Sequence, residues 1–525
     1  MKRILDLGNA VSGKKILAVC VMVLCLAGWV AGAAWAAEGK KLIVGLASDA
    51  LTLDPQMQEE TITNTITRHF YDGLLNYDAE HKPVPALAES WELADDQVTW
   101  TFHLRRGVKF SDGSPFTAED VAFSIERTRD KINKNLVVTI KEVVVVDDHT
   151  AKIITNAPDA ILLDSLARNK VLSKAYVTRV GDAETDQIPL GTGPYKLVEW
   201  IREDHVTMEP NEHYWGPKPS ITGVTFRPIT NAATRTAALL TGEVDIIGDV
   251  PVQDFDRVSK TEGIEAVSRP GEFLIFMHVD GDREVTPAID LPKNPMTDIR
   301  VRQAISLAID RELITRVALN GSGYPTGQMV TEGLRGYLAG RPVPEYNPEK
   351  AQALLKEAGY EKGFKVKLDA PNGRYVNDAQ VAQALASQLT KVGIEIDLNL
   401  LPKSVFFDYV RPGDKSSLVM TGWSESVDAG AMGNVLFYTR GKGPKGGSNR
   451  GHYSNEEYDR LLDEADATAD VTHRAALVEK AAQVILDDLG LVPLYFERDL
   501  YGKKKNVKFT PRSDKYILAS DIEIE

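Results

Sequence analysis

Between Ala86 and Arg127 the sequence leaves few choices of local structure. Val98, Trp100, Phe102 and Leu104 alternate with Thr99, Thr101 and His103. A period of two is the pattern of a strand with one buried face. Asp112-Gly113 follows as a turn, because glycine takes positive φ without steric cost. Thr117 then stands where its hydroxyl can cap a helix, with Glu119 and Asp120 at that helix's positive end. Val121, Ala122 and Ile125 open an apolar helical stripe. Strand, turn and capped helix follow one another directly, and nothing in the run is catalytic in type.

The whole chain has 525 residues, more than one ordinary domain, and two or three are expected. Its 43% hydrophobic and 26% charged residues suit a soluble globular protein. A formal net charge of −14 argues against nucleic acid as a partner, which needs a basic footprint. The N-terminus departs from this balance. Lys14 and Lys15 precede a charge-free apolar run that ends in Ala34-Trp35-Ala36. A basic flank, an apolar centre and an A-x-A site read as a cleaved secretory signal peptide over residues 1–36, and hence a periplasmic protein. An uncleaved anchor over Ile16 to Ala37 is the alternative, since that run is long enough to span a bilayer. Both cysteines, Cys20 and Cys25, lie in the segment, so its removal excludes disulfides and cysteine catalysis.

Further along, strands and helices alternate. Lys365 to Ala370 reads as a strand, Asp378 as the cap of a helix running to Val392, and Ile394 to Leu400 as a second strand. Such a unit builds a mostly parallel sheet with covering helices. A single helix is expected from Arg300 to about Leu319, and a capping box at Ser454 to Glu457. Arg269-Pro270-Gly271 ahead of the strand Phe273 to Val279 marks a lobe boundary.

The run LRRGVKFSDGSPFTAEDVAFSIER (Leu104 to Arg127) resembles the signature of family 5 extracellular solute-binding proteins, the peptide- and nickel-type binding components of ABC importers. The resemblance continues through GTGPYKLVEW (Gly191 to Trp200), NEHYW (Asn211 to Trp215), LLTGEVDI (Leu239 to Ile246), VRQAISLAIDRELI (Val301 to Ile314) and YNPEKAQALLKEAGY (Tyr346 to Tyr360). It implies an α/β, two-lobed (Venus-flytrap) fold with an extra subdomain in the first lobe. The expected division is a first lobe of residues 37–272 plus 492–525, carrying an insert at about 83–189, and a second lobe of residues 273–491. It also implies a monomer that captures a small peptide or peptide-like solute and hands it to a membrane permease driven by a separate ATPase.

Arg374 lies in APNGRYVND (Ala370 to Asp378), between a strand end and a helix start. A guanidinium there can grip a carboxylate at two points, and in dipeptide-binding relatives an arginine just after this strand does so. Trp423 opens GWSESVDAGAMGN as an aromatic wall at a strand end. In peptide-binding relatives an aspartate three residues after this tryptophan pairs with the ligand's amino group. Here Ser426 occupies that place, and Asp428 is the expected substitute. The missing acid keeps a non-peptide ligand open: an opine, a sugar derivative or a metal chelate. Glu60 and Thr61, with Gln58, follow the first strand where relatives line their cleft.

No catalytic, metal or cofactor site is expected. Gly441 to Gly446 matches G-x-G-x-x-G only as a string, because no helix stripe follows directly. There is no phosphate-binding G-x-x-x-x-G-K-S/T, no H-x-x-x-H and no G-x-S-x-G. Nothing marks His278 or His452 as a ligand. A peptide-cleaving enzyme or a sensory protein without transport are the remaining alternatives.

Overall fold

The computed structural model describes residues 39–525 except Glu59, Ser426 and residues 442–444. The expected signal segment, both cysteines and the middle of the G-x-G-x-x-G string therefore lie outside the described residues.

Two long strands, Ile264–Val279 and Leu491–Lys504, form the spine of an eleven-stranded sheet. They run antiparallel from Ile264 opposite Lys504 to Pro270 opposite Arg498, then from Leu274 opposite Phe496 to His278 opposite Leu491. Between these stretches Gly271, Glu272 and Phe273 fall in a register shift, a bulge that bends the pair. The sequence suggests a break at Arg269-Pro270-Gly271; instead one strand runs through. Pro270 is tolerated because a bulge relieves the ladder of its missing donor. Gly271 is required there, since a Cβ at this position would lie 2.6 Å from the Asp499 carboxylate of the facing strand.

On one side of the spine, Lys41–Leu46 runs parallel to Gly223–Pro228 and Ile246–Ile247. His205–Pro210 and Tyr195–Ile201 extend that side antiparallel. On the other side, Leu418–Ser424 pairs antiparallel with the spine and parallel with Phe364–Asn372, which is parallel to Ile394–Pro402. The helix Asp378–Lys391 covers this second half, burying Val381, Leu385 and Leu389 against Leu368 and Met420. The result is two lobes on one continuous sheet.

A separate antiparallel sheet of Ala88–Leu93, Thr99–Leu104, Thr150–Thr155 and Ile140–Asp147 forms an additional subdomain. Its signature run folds as its periodicity dictates. Trp100, Phe102 and Leu104 are buried and their neighbours partly exposed. Gly113 takes φ +86°, and Thr117 and Asp120 form a reciprocal capping box for the helix Ala118–Thr128.

Three local expectations are corrected. The helix expected from Arg300 to Leu319 stops at Leu307, because Asp310 leaves helical geometry and caps a new turn through Leu313 N–H at 2.8 Å. Asp378 does not cap its helix. Asn377 holds that position, and the Asp378 carboxylate accepts the backbone N–H groups of Gly373, Arg374 and Tyr375 instead. The helix Glu456–Asp466 is capped by Asn455, through Tyr458 N–H at 3.0 Å, rather than by Ser454.

The subdomain is also tied to the second lobe by charge. Asp428 is fully buried and caps the helix Ala429–Leu436 through Ala431 N–H. Arg474 and Arg335 stand at 2.8 and 3.4 Å from its carboxylate, and Arg335 reaches on to Asp164 of the subdomain helix Leu162–Arg168 at 2.8 Å. Burial pushes the Asp428 carboxyl up, but the two guanidiniums outweigh it and hold it below the ordinary carboxylate range. Removing one member of a buried ion cluster leaves the others uncompensated. Asp428→Asn is therefore expected to cost about 3–5 kcal/mol, measured by urea denaturation.

His69 ties the C-terminal segment to the first lobe. Its Nδ1–H donates to Thr65 O at 2.8 Å, and its Nε2 accepts Ala519 N–H at 2.9 Å, an arrangement only the neutral ring can make. Burial lowers its pKa to about 4. Between about pH 6.5 and 4 the unfolded chain takes up a proton that the folded one refuses, so stability falls as pH falls through this window. His69 contributes about 1.4 kcal/mol per pH unit to that slope. Denaturation midpoints at pH 7, 6 and 5 are expected to show a slope shallower by that amount in His69→Gln.

Candidate functional site

Where the spine bends, the two lobes enclose a cavity of about 370 Å³. The first lobe supplies one wall through the helix Thr61–Thr67, on which Thr61, Asn64 and Arg68 recur at helical spacing. The opposite face of that helix, with Thr63 and Ile66, is buried. The bulge supplies Glu272 and Phe273, and Leu418–Ser424 supplies Ser424 at its end. A smaller cavity of about 240 Å³ shares Thr61 and Lys515 with the first and is bordered by Glu60 and Asp499.

Several residues that border the larger cavity carry buried polar atoms without a hydrogen-bond partner: Arg68 Nε, both ring nitrogens of His81, Asn133 Oδ1 and Glu272 Oε1. Buried polar groups are otherwise paired in folded proteins, so such a cluster marks a place built for something else to bind. His81 stacks on Tyr77 with ring centres 3.9 Å apart. Its Nδ1 lies 3.9 Å from Glu272 Oε1, too far for a hydrogen bond. Burial lowers His81 to about 4, and burial, reinforced by Asp514 and Asp499, raises Glu272 well above its ordinary value. Burial thus disfavours the charged form of both groups.

The cations differ in their company. Lys515 is paired with Asp499 at 2.7 Å, and Asp514 with Arg512 at 2.7 Å. Lys170 is buried, and its ammonium donates to the neutral acceptors Asn76 Oδ1 and Ala167 O. Burial pushes the Lys170 ammonium well below its ordinary value, and the Arg68 charge pushes the same way. The Arg68 guanidinium lies 4.6 Å from the Tyr516 ring centre and has no ion pair among the described residues.

The residues expected from sequence fall in different places. Thr61 borders both cavities. Glu60 borders the smaller one, and its carboxylate caps the helix through Ile62 and Thr63 N–H. Arg374 is exposed, with its guanidinium 5.8 Å from the ring centre of Phe273, a wall of the larger cavity. Trp423 pairs with Leu274 and packs against the second lobe's helical core. Its neighbour Ser424 lines the cavity, as alternation along a strand requires. Asp428 is corrected: its carboxylate is committed to Arg474, Arg335 and Ala431 N–H and is not offered to a ligand cation. Ser426 lies outside the described residues. Sequence reading misses Arg68, His81, Asn133, Lys170 and Glu272; the spacing of Thr61, Asn64 and Arg68 is the one signal that could have pointed to any of them.

Among the described residues no group of acids and histidines is arranged to hold a metal ion. Residues 82–444 match the family model for bacterial extracellular solute-binding proteins, family 5 Middle. The chain is 30% identical over 486 residues to the glutathione-binding protein GsiB of Escherichia coli K12, covering 90% of this chain and 92% of that one. It superposes on HbpA2 from Haemophilus parasuis with a TM-score of 0.83 at 26% identity, over 93% of this chain and all of that one. For AgaA of A. tumefacien R10 in complex with agropinic acid the TM-score is 0.66 at 29% identity, over 92% and 99%. The two-lobed sheet, the added subdomain and these matches agree: the chain belongs to the family 5 extracellular solute-binding proteins, the non-catalytic substrate-binding components of ABC importers.

Proposed function

We propose that this protein, exported by cleavage after Ala36, captures a small peptide-like solute between its lobes and presents it to the permease of an ABC importer. The observation that carries the reading is the gathering, around one interlobe cavity, of first-lobe and bulge residues with unpartnered polar atoms. A ligand that satisfies both walls at once binds the closed arrangement better than the open one and shifts the population toward it. The lobe division then falls at the bulge, between Pro270 and Leu274.

Arg374 is assigned to a ligand carboxylate. Its loop is fixed by the Asp378 carboxylate, and its guanidinium stands behind Phe273 at the cavity wall. Thr61 and Glu60 are assigned to polar contacts on the first-lobe side, and Trp423 to backing the wall rather than touching the ligand. The relatives bear on the class in two ways: the glutathione-binding protein supports a peptide-like solute, while another relative is solved with agropinic acid. That second relative favours an opine-like acid as the alternative ligand.

Native mass spectrometry of the protein taken from its own periplasm, then denaturation and identification of what is released, tests the class. Short peptides or peptide-like acids are expected; a sugar or a metal chelate would overturn the reading. Arg374→Gln is expected to weaken binding of the released solute by about 10- to 100-fold, as loss of a charge-assisted bond does. An unchanged affinity would remove Arg374 from the site.

A further inference from the structure

We propose that the interlobe cavity beside the bulge selects an anionic ligand carrying two negative groups, and that Arg68 and Lys170 receive one of them. The inference rests on reading this cavity as the ligand site.

Four cationic residues border the cavity, Arg68, Arg168, Lys170 and Lys515, against two acids, Glu272 and Asp514. Neither acid forms an ion pair with any of the four among the described residues. Asp514 is held by Arg512, and Glu272 is buried without a hydrogen-bond partner for its Oε1. Lys515 is neutralised by Asp499. Lys170 and Arg68 are not. The ammonium has only neutral acceptors, and the guanidinium has aromatic rings at 4.6 and 6.0 Å and a buried Nε with no acceptor. Burial and the Arg68 charge both disfavour the Lys170 ammonium, and an anion between the two side chains favours its charged form and fills the missing bonds. A carboxylate suits the pair, because guanidinium offers a planar two-point donor and ammonium a third bond.

The same inventory argues against a ligand ammonium in this cavity. The aspartates near it are committed, Asp514 to Arg512, Asp499 to Lys515, and Asp428 to Arg474 and Arg335, and burial favours the uncharged form of Glu272. The overall charge of −14 does not account for a cationic cavity; it runs opposite to it. With Arg374 beyond Phe273 taking a second carboxylate, the ligand has an acidic group at each end and no buried free amine between them.

Calorimetric titration of the mature protein with matched probes tests this. The pairs are N-acetylglutamate against N-acetylglutamine, and Ala-Glu against Ala-Gln. In each pair one carboxylate becomes an amide of the same shape. The acid is expected to bind at least about tenfold more tightly. Arg68→Gln should reduce that preference to near unity, and Arg68→Lys should retain part of it. Circular dichroism verifies that both variants are folded. Equal binding of acids and amides, or a preference that survives Arg68→Gln, overturns the anion inference and leaves the peptide-like reading standing. Arg68-dependent binding of glutarate or citrate with no binding of any peptide or acylated amino acid does the reverse. Folded protein that binds none of these acids overturns the anion inference as well.

Discussion

The pairing of Ile264–Val279 with Leu491–Lys504 is the constraint on which the rest of the molecule depends. Each lobe hangs its own strands from one end of that pair, so the hydrogen-bond ladder that stabilises the lobes also connects them. A ladder of this length resists bending except where it is interrupted. The interruption at Gly271 to Phe273 is where the chain has both the freedom to bend and two side chains, Glu272 and Phe273, that face the interlobe space. In the proposed closure the bulge is the joint and, through Glu272 and Phe273, also part of the cavity wall.

Local structure was largely legible because it is decided by near neighbours. The alternation from Val98 to Leu104, the Asp112-Gly113 turn and the Thr117 cap each needed only a few residues, and each formed as expected. The failures have one character. Asp378, Ser454 and Asp310 are all residues that can cap or interrupt a helix, and which one does so depends on geometry that a pattern does not carry. Asp378 serves the loop before it instead.

The site was less legible, for a different reason. Arg68, His81, Lys170 and Glu272 come from four separate stretches and meet only through the fold. Three of them sit in segments with no motif, and a buried lysine reads in sequence like any surface lysine. Asp428 shows the converse. An acid five residues past a strand-end tryptophan looks free to receive a cation until Arg335 and Arg474, far along the chain, are seen to occupy it.

The ion chain from Asp164 through Arg335 to Asp428 has a mechanical consequence. Two bodies joined at one flexible point can swing in any direction. A second attachment away from the first leaves them only rotation about the line through both. The bulged strands are one such point and the ion chain is the other, so while it holds, the lobes have one degree of freedom rather than three. Opening becomes the turning of a door on two pins, and the cavity walls meet in the same register each time the door shuts.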